Sequence, residues 1–207
     1  MSQFSLDPKN VAQVLDVMPD GNSWRQEIDG FTISALRDST GIPLTGATAP
    51  LVEISSGELR AKSVASTTHT VYATLQVPRS YDNSRGKTQL MVQMVIAGSA
   101  GTDAPSVTLT ATARPMTGAV KTGYAPTNPT GTASTSATTL SWDLSTTLSS
   151  ASVKIKGGDT VTLKFVFGAH TTDDFYILAL RAFATQGPNF QYRPARLSTY
   201  GTEQTSG

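Results

Sequence analysis

DTVTLKFVFGAHTTDDFYILALRAFATQ, residues 159–186, holds two consecutive strands of different character. In the first, Val161, Leu163, Phe165 and Phe167 share one face, with Thr160, Thr162 and Lys164 on the other. That period of two marks a strand with one buried face. After the turn at 168–174, residues 175–185 are apolar on both faces through Tyr176, Ile177, Leu178, Ala179, Leu180 and Phe183. A strand of this kind belongs in the middle of a packed β-layer.

Seven further stretches read as strands around this pair: 51–54, 58–66, 70–77, 89–96, 106–114, 140–144 and 152–156. Val71, Ala73, Leu75 and Val77 alternate with Thr70, Tyr72, Thr74 and Gln76, and Val107, Leu109, Ala111 and Ala113 alternate with Thr108, Thr110, Thr112 and Arg114. Short strands separated by Gly, Pro and Asp-Asn turns predict an all-β fold, an antiparallel β-sandwich of jelly-roll-like form over residues 49–186. Lys156-Gly157-Gly158-Asp159 reads as a hairpin turn within it.

Residues 1–48 read as an N-terminal extension. Within it, 7–18 (DPKNVAQVLDVM) has the marks of a helix: Asp7 at the N-cap, Pro8 at the first position, and Pro19-Asp20-Gly21 as the stop. Val11, Val14, Leu15 and Met18 form one apolar stripe. A helix this short is marginal alone, so the stripe needs a surface, either its own β-domain or a neighbouring subunit. Residues 31–36 predict a short strand. Phe4, Leu6, Trp24, Phe31 and Leu36 make the extension too apolar for a solvated tail. At the other end, 187–207 reads as a C-terminal arm with Phe190, Tyr192, Arg193, Arg196 and Tyr200 and no periodicity. The run 119–138, rich in Thr, Pro, Gly and Ser, predicts a mobile surface loop, with contact to a neighbour or a glycan as the alternative.

Composition narrows the function. Charged residues are 15% of the chain, against about 25% in an average soluble domain. With 16 basic and 15 acidic residues the net charge is +1, so no bulk field draws the chain to nucleic acid or to an anionic membrane. Cysteine is absent, which removes disulfides, thiolate metal sites and cysteine nucleophiles and suits a reducing cytoplasm. The first residues lack the pattern of a signal peptide, and no apolar run reaches the length of a membrane helix.

No constellation of catalytic residues stands out, so an enzyme is not expected. His69 and His170, each beside threonines near a strand end, read as surface or turn histidines, and two histidines are too few for a zinc site. Asp82, Asp103, Asp173 and Asp174 lack a calcium-loop spacing and read as turn residues. No cofactor or metal is expected. Lys154, Lys156 and Lys164 read as a solubilising outer face, with a small basic patch for an acidic partner as the alternative.

Three turns carry a resemblance: Pro78-Arg79-Ser80-Tyr81-Asp82, residues 100–105 (AGTDAP) and residues 168–173 (GAHTTD). With the strands around them, over 71–115 and 157–184, they resemble a jelly-roll type of protein from tailed-bacteriophage particles that decorates, or cements, the capsid. The resemblance implies a non-enzymatic structural protein of the virion, assembled in the bacterial cytoplasm, with the major capsid protein as partner. A homo-dimer or homo-trimer is expected. The arms fall outside the matching stretches; their apolar residues make Val11, Val14, Leu15, Met18, Phe190, Tyr192 and Arg193 the expected partner-binding positions. A receptor- or glycan-binding module of a tail fibre or spike is the alternative.

Overall fold

The computed structural model describes residues 24–44, 50–79, 81, 89–145, 155–168 and 170–186. Its strands are β1 (Trp24–Glu27), β2 (Leu51–Ser55), β3 (Glu58–Ser63), β4 (His69–Gln76), β5 (Leu90–Gly98), β6 (Val107–Arg114), β7 (Lys121–Tyr124), β8 (Thr138–Asp143), β9 (Thr160–Phe167) and β10 (Phe175–Gln186). One sheet has the order β2-β3-β10-β5-β8, with β1 also pairing with β10; the other has the order β4-β9-β6-β7. Every pairing is antiparallel.

The pairs are nested. β3 pairs with β10, β4 with β9, β5 with β8 and β6 with β7. The chain between 58 and 186 is thus folded back on itself as one long hairpin, and β10–β5 and β9–β6 contacts roll that hairpin into two sheets. This is the wrapping of a jelly roll. β2 extends the β3 edge through a two-residue turn in which Ser56 and Gly57 both hold positive φ, 53° and 84°, the backbone of a tight hairpin whose twist matches its strands.

The alternation in the sequence becomes the core. Val161, Leu163, Phe165 and Phe167 of β9 are at most 1% exposed, and the inward residues of β4 and β6 are buried with them. Trp142 of β8 meets Phe165 edge-on across the two sheets, with centroids 5.7 Å apart and planes at 68°, a favoured aromatic geometry. β10 lies in the interior of its sheet, flanked by β5 on one side and by β3 and β1 on the other. Its register shifts between Ile177 and Ala179, where Leu178 is the extra residue.

The structure departs from the sequence reading in four places. Residues 31–36 form no strand; Ile33–Ala35 is a 3-10 turn, and Phe31, Ile33 and Leu36 are buried in the core. Together with β1, this places 24–36 on the sandwich body, where 28–33 line a groove with residues 178–181 of β10. The stretch 119–138 is no mobile loop: it supplies β7, and Asn128 Oδ1 accepts the Leu109 N–H at 2.9 Å and the Trp142 indole N–H at 3.1 Å. Residues 156–159 turn, but not as a hairpin onto β9. Both edges of β9 are occupied, by β4 and β6, and the turn bonds instead to the end of β4, with Val77 N donating to Asp159 O and Gly158 N to Val77 O, both at 2.9 Å. Finally, both histidines are buried, His69 at 7% and His170 at 4% exposure. The helix expected at 7–18 and the arm at 187–207 lie outside the described residues.

Candidate functional site

The jelly-roll wrapping sorts the connections between strands to two ends of the sandwich. One end, called upper here, collects the links β3–β4, β5–β6, β7–β8 and β9–β10; the lower end collects β4–β5, β6–β7 and β8–β9, the start of β1 and the finish of β10.

At the upper end the AGTDAP and GAHTTD turns lock together through two carboxylates. Asp173 accepts the N–H groups of Ala100 (2.8 Å), Thr102 (2.7 Å) and Asp103 (2.8 Å). Asp103 in return accepts those of Thr172 (2.6 Å) and Asp173 (2.9 Å), and the Thr171 hydroxyl at 3.2 Å. Burial alone would raise the Asp173 carboxyl, but its backbone donors outweigh burial and hold it below the ordinary carboxylate value. Asp103 is lowered by the Asp173 and Thr172 N–H groups. Asp174 is lowered chiefly by its hydrogen bond with Lys62, at 2.7 Å, and Lys62 is raised by the same contact. These acids act as turn fasteners, as read from the sequence, and among the described residues no group of three or more His, Asp or Glu side chains is placed to hold a metal ion.

Beneath this clasp lies a buried polar cluster that the sequence reading missed. Ser63 Oγ sits 3.0 Å from His69 Nδ1 and 3.3 Å from His170 Nε2. The signal for His69 was strand parity: it shares its face with Val71, Ala73 and Leu75, all buried. His170 is carried inward by the clasped turn and packs on Phe175 at 4.5 Å between centroids. A serine between two imidazoles has the groups of a nucleophile and a base. Here Ser63 is 1% exposed, so no substrate reaches its hydroxyl. The cluster ties β3 of one sheet to β4 of the other and to the 168–174 turn.

The lower end is built differently. Trp24 and Gln186 are Cα partners in the β1–β10 ladder. The segments 1–23 and 187–207 therefore join the body side by side, as adjacent antiparallel partners lie about 5 Å apart. The expected partner-binding residues Val11, Val14, Leu15, Met18, Phe190, Tyr192 and Arg193 all belong to these two segments and lie outside the described residues. The same end presents Met116, 70% exposed, and Val120, 39% exposed, on the β6–β7 turn. Around them stand Arg79, Arg114, Lys121 and Lys156, near the turn at Gly157-Gly158-Asp159. The sequence reading placed Arg79 in a turn, Arg114 on the outward side of a strand and Lys156 on a basic outer face, but did not bring them together; Met116 and Val120 lie in a Pro-Gly-Thr turn with no period to mark them.

Among the described residues no helix is long and apolar enough to cross a membrane. Compared with models of known protein families and with curated protein sequences, the chain matches none.

Proposed function

We propose that the protein is a structural component of a tailed-phage particle, a cement or decoration protein that binds the capsid shell through its β-body and its two arms. The observation that carries this reading is the Trp24–Gln186 pairing: it brings the two points where the flanking segments attach to one corner of the sandwich, and in this reading their apolar residues bind a single neighbour together. Two weak attachments that start a few ångströms apart reinforce one another, because the second binds at the high effective concentration set by the first. The partner in this reading is the major capsid protein, the protein acts as a homo-dimer or homo-trimer on the virion surface, and assembly takes place in the bacterial cytoplasm. The three turns that carry the phage resemblance have structural work in the fold, two in the carboxylate clasp and one where Tyr81 N closes on Pro78 O at 2.9 Å.

The test is the copy number of the protein in density-purified particles, by quantitative mass spectrometry. A simple ratio to the main shell protein is the expected result; absence from particles sinks the proposal. A few copies per particle would move the protein to the tail, as a receptor- or glycan-binding module. Deleting residues 1–20 and 187–207 then tests the arm mechanism, which is wrong if shell binding persists unchanged.

A further inference from the structure

The lower end carries a second, independent surface made by the body itself. Arg79, Arg114 and Lys156 are exposed there, and among the described residues none of the three forms an ion pair. The carboxylate set among them, Asp159, is 3% exposed and already engaged: it lies 3.6 Å from Lys121 Nζ and accepts the Lys156 N–H at 2.9 Å. Among the described residues around this turn the balance is therefore positive, on a chain whose net charge is only +1. Two of the five exposed large apolar side chains among the described residues, Met116 and Val120, stand in the same place. Gly158 explains how Met116 is held there. It has φ +89°, and a Cβ built on it would lie 2.9 Å from Met116 Sδ and 4.0 Å from Arg79 Cγ. Met116 thus rests on bare backbone beside an arginine, where any larger residue at 158 would push it away.

We infer that this end is a docking surface for the acidic face of a partner protein, with an apolar socket that receives Met116. Charge complementarity requires an anionic partner, and the composition chooses among anions. Methionine and arginine are among the side chains enriched in protein interfaces. Two apolar side chains are too little for insertion into a membrane, and among the described residues the cluster offers no aromatic platform for bases. The inference stands on residues of the body and does not depend on the capsid reading.

The test is nuclear magnetic resonance of the full chain with methyl-labelled methionine and valine, where Met116 and Val120 report on the surface and fully buried Met94 reports on the fold. The probes are a glutamate-rich peptide with leucine at every fourth position, an all-glutamate peptide, a DNA duplex, and vesicles of phosphatidylglycerol. The leucine-bearing peptide is expected to shift the Met116 methyl saturably, and about tenfold more tightly than the all-glutamate peptide. The triple change Arg79→Glu, Arg114→Glu and Lys156→Glu should abolish that shift with the Met94 signal in place, and Met116→Ala should bring the affinities of the two peptides, read from the Val120 methyls, together. Equal binding of both peptides to the unaltered protein overturns the socket. No shift with either peptide, or tighter binding of DNA or vesicles, overturns the acidic protein partner.

Discussion

Asn128 lies among prolines, threonines and glycines that give it no distinction in the sequence, yet its carboxamide oxygen serves Leu109 N–H and the Trp142 indole at once. Trp142 is fully buried, while Asn128 is itself exposed, so water can take over part of the acceptor role when the carboxamide is removed. Asn128→Ala should cost about 1–3 kcal/mol, the range for a donor that loses its acceptor, because water at the exposed edge relieves part of the loss of two bonds. Asn128→Asp keeps an acceptor and should cost less; urea unfolding of the two variants measures the difference. The Asp103–Asp173 clasp makes a prediction of another kind. Both carboxyls are held below their ordinary value, so the unfolded chain binds their protons more readily than the folded one. Their contribution to stability is complete above the unfolded value of about 3.9 and is lost as pH falls through the lower folded values. Asp103→Asn should therefore lower the unfolding midpoint at neutral pH, and the gap to the unaltered protein should narrow below about pH 4. A gap that stays constant with pH would show that the clasp works by shape and not by charge.

At the scale of elements, what was legible is what repeats. β4, β6 and β9 alternate over eight residues each, and β10 declares its interior position by being apolar on both faces. β1 and β7 are four residues each, too short for a period to emerge, and both exist because a longer neighbour offers a free edge. The histidines show the same limit in side chains. His69 begins β4, and a strand read from Thr70 left it outside the inward set, although parity puts it with Val71. The segment 24–36 is the case with the largest consequence for stability. It reads as part of an extension, while Phe31, Ile33 and Leu36 are 3%, 5% and 0% exposed. Each such side chain contributes about 1.5–3 kcal/mol by burial, and a domain has only about 5–15 kcal/mol in total. A chain that starts at residue 50 should lose cooperative unfolding or fail to fold, whereas one that starts at residue 24 should unfold in a single transition. Calorimetry of the two truncations separates body from arm at a defined residue.

For the whole molecule, the nested pairing explains both what the sequence concealed and how the ends relate. Antiparallel sandwich was readable from strand number and alternation, but alternation is the same for every strand order, so the wrapping is visible only in the pairing. Of the four nested pairs the outermost, β3 and β10, are the farthest apart in the chain, and β1, farther still, returns to close against the end of β10. The two ends of the body meet as a result of the fold, with no help needed from the segments beyond them. A circular permutant tests this. If residues 24 and 186 are joined by a short Gly-Ser linker and the chain is opened at Gly118, an exposed turn position with no contact that a Cβ would meet, the body should keep its β-sheet spectrum and a single unfolding transition. Its melting temperature should fall by no more than about 2–4 °C, the shift expected for a loss near 1 kcal/mol in a domain of this size. The permutant also lacks both arms, so on the cement reading it should be folded and yet fail to bind the shell. A permutant that does not fold would mean that the arms hold the sandwich together, and the corner where they leave would then be a structural seam and not an attachment point.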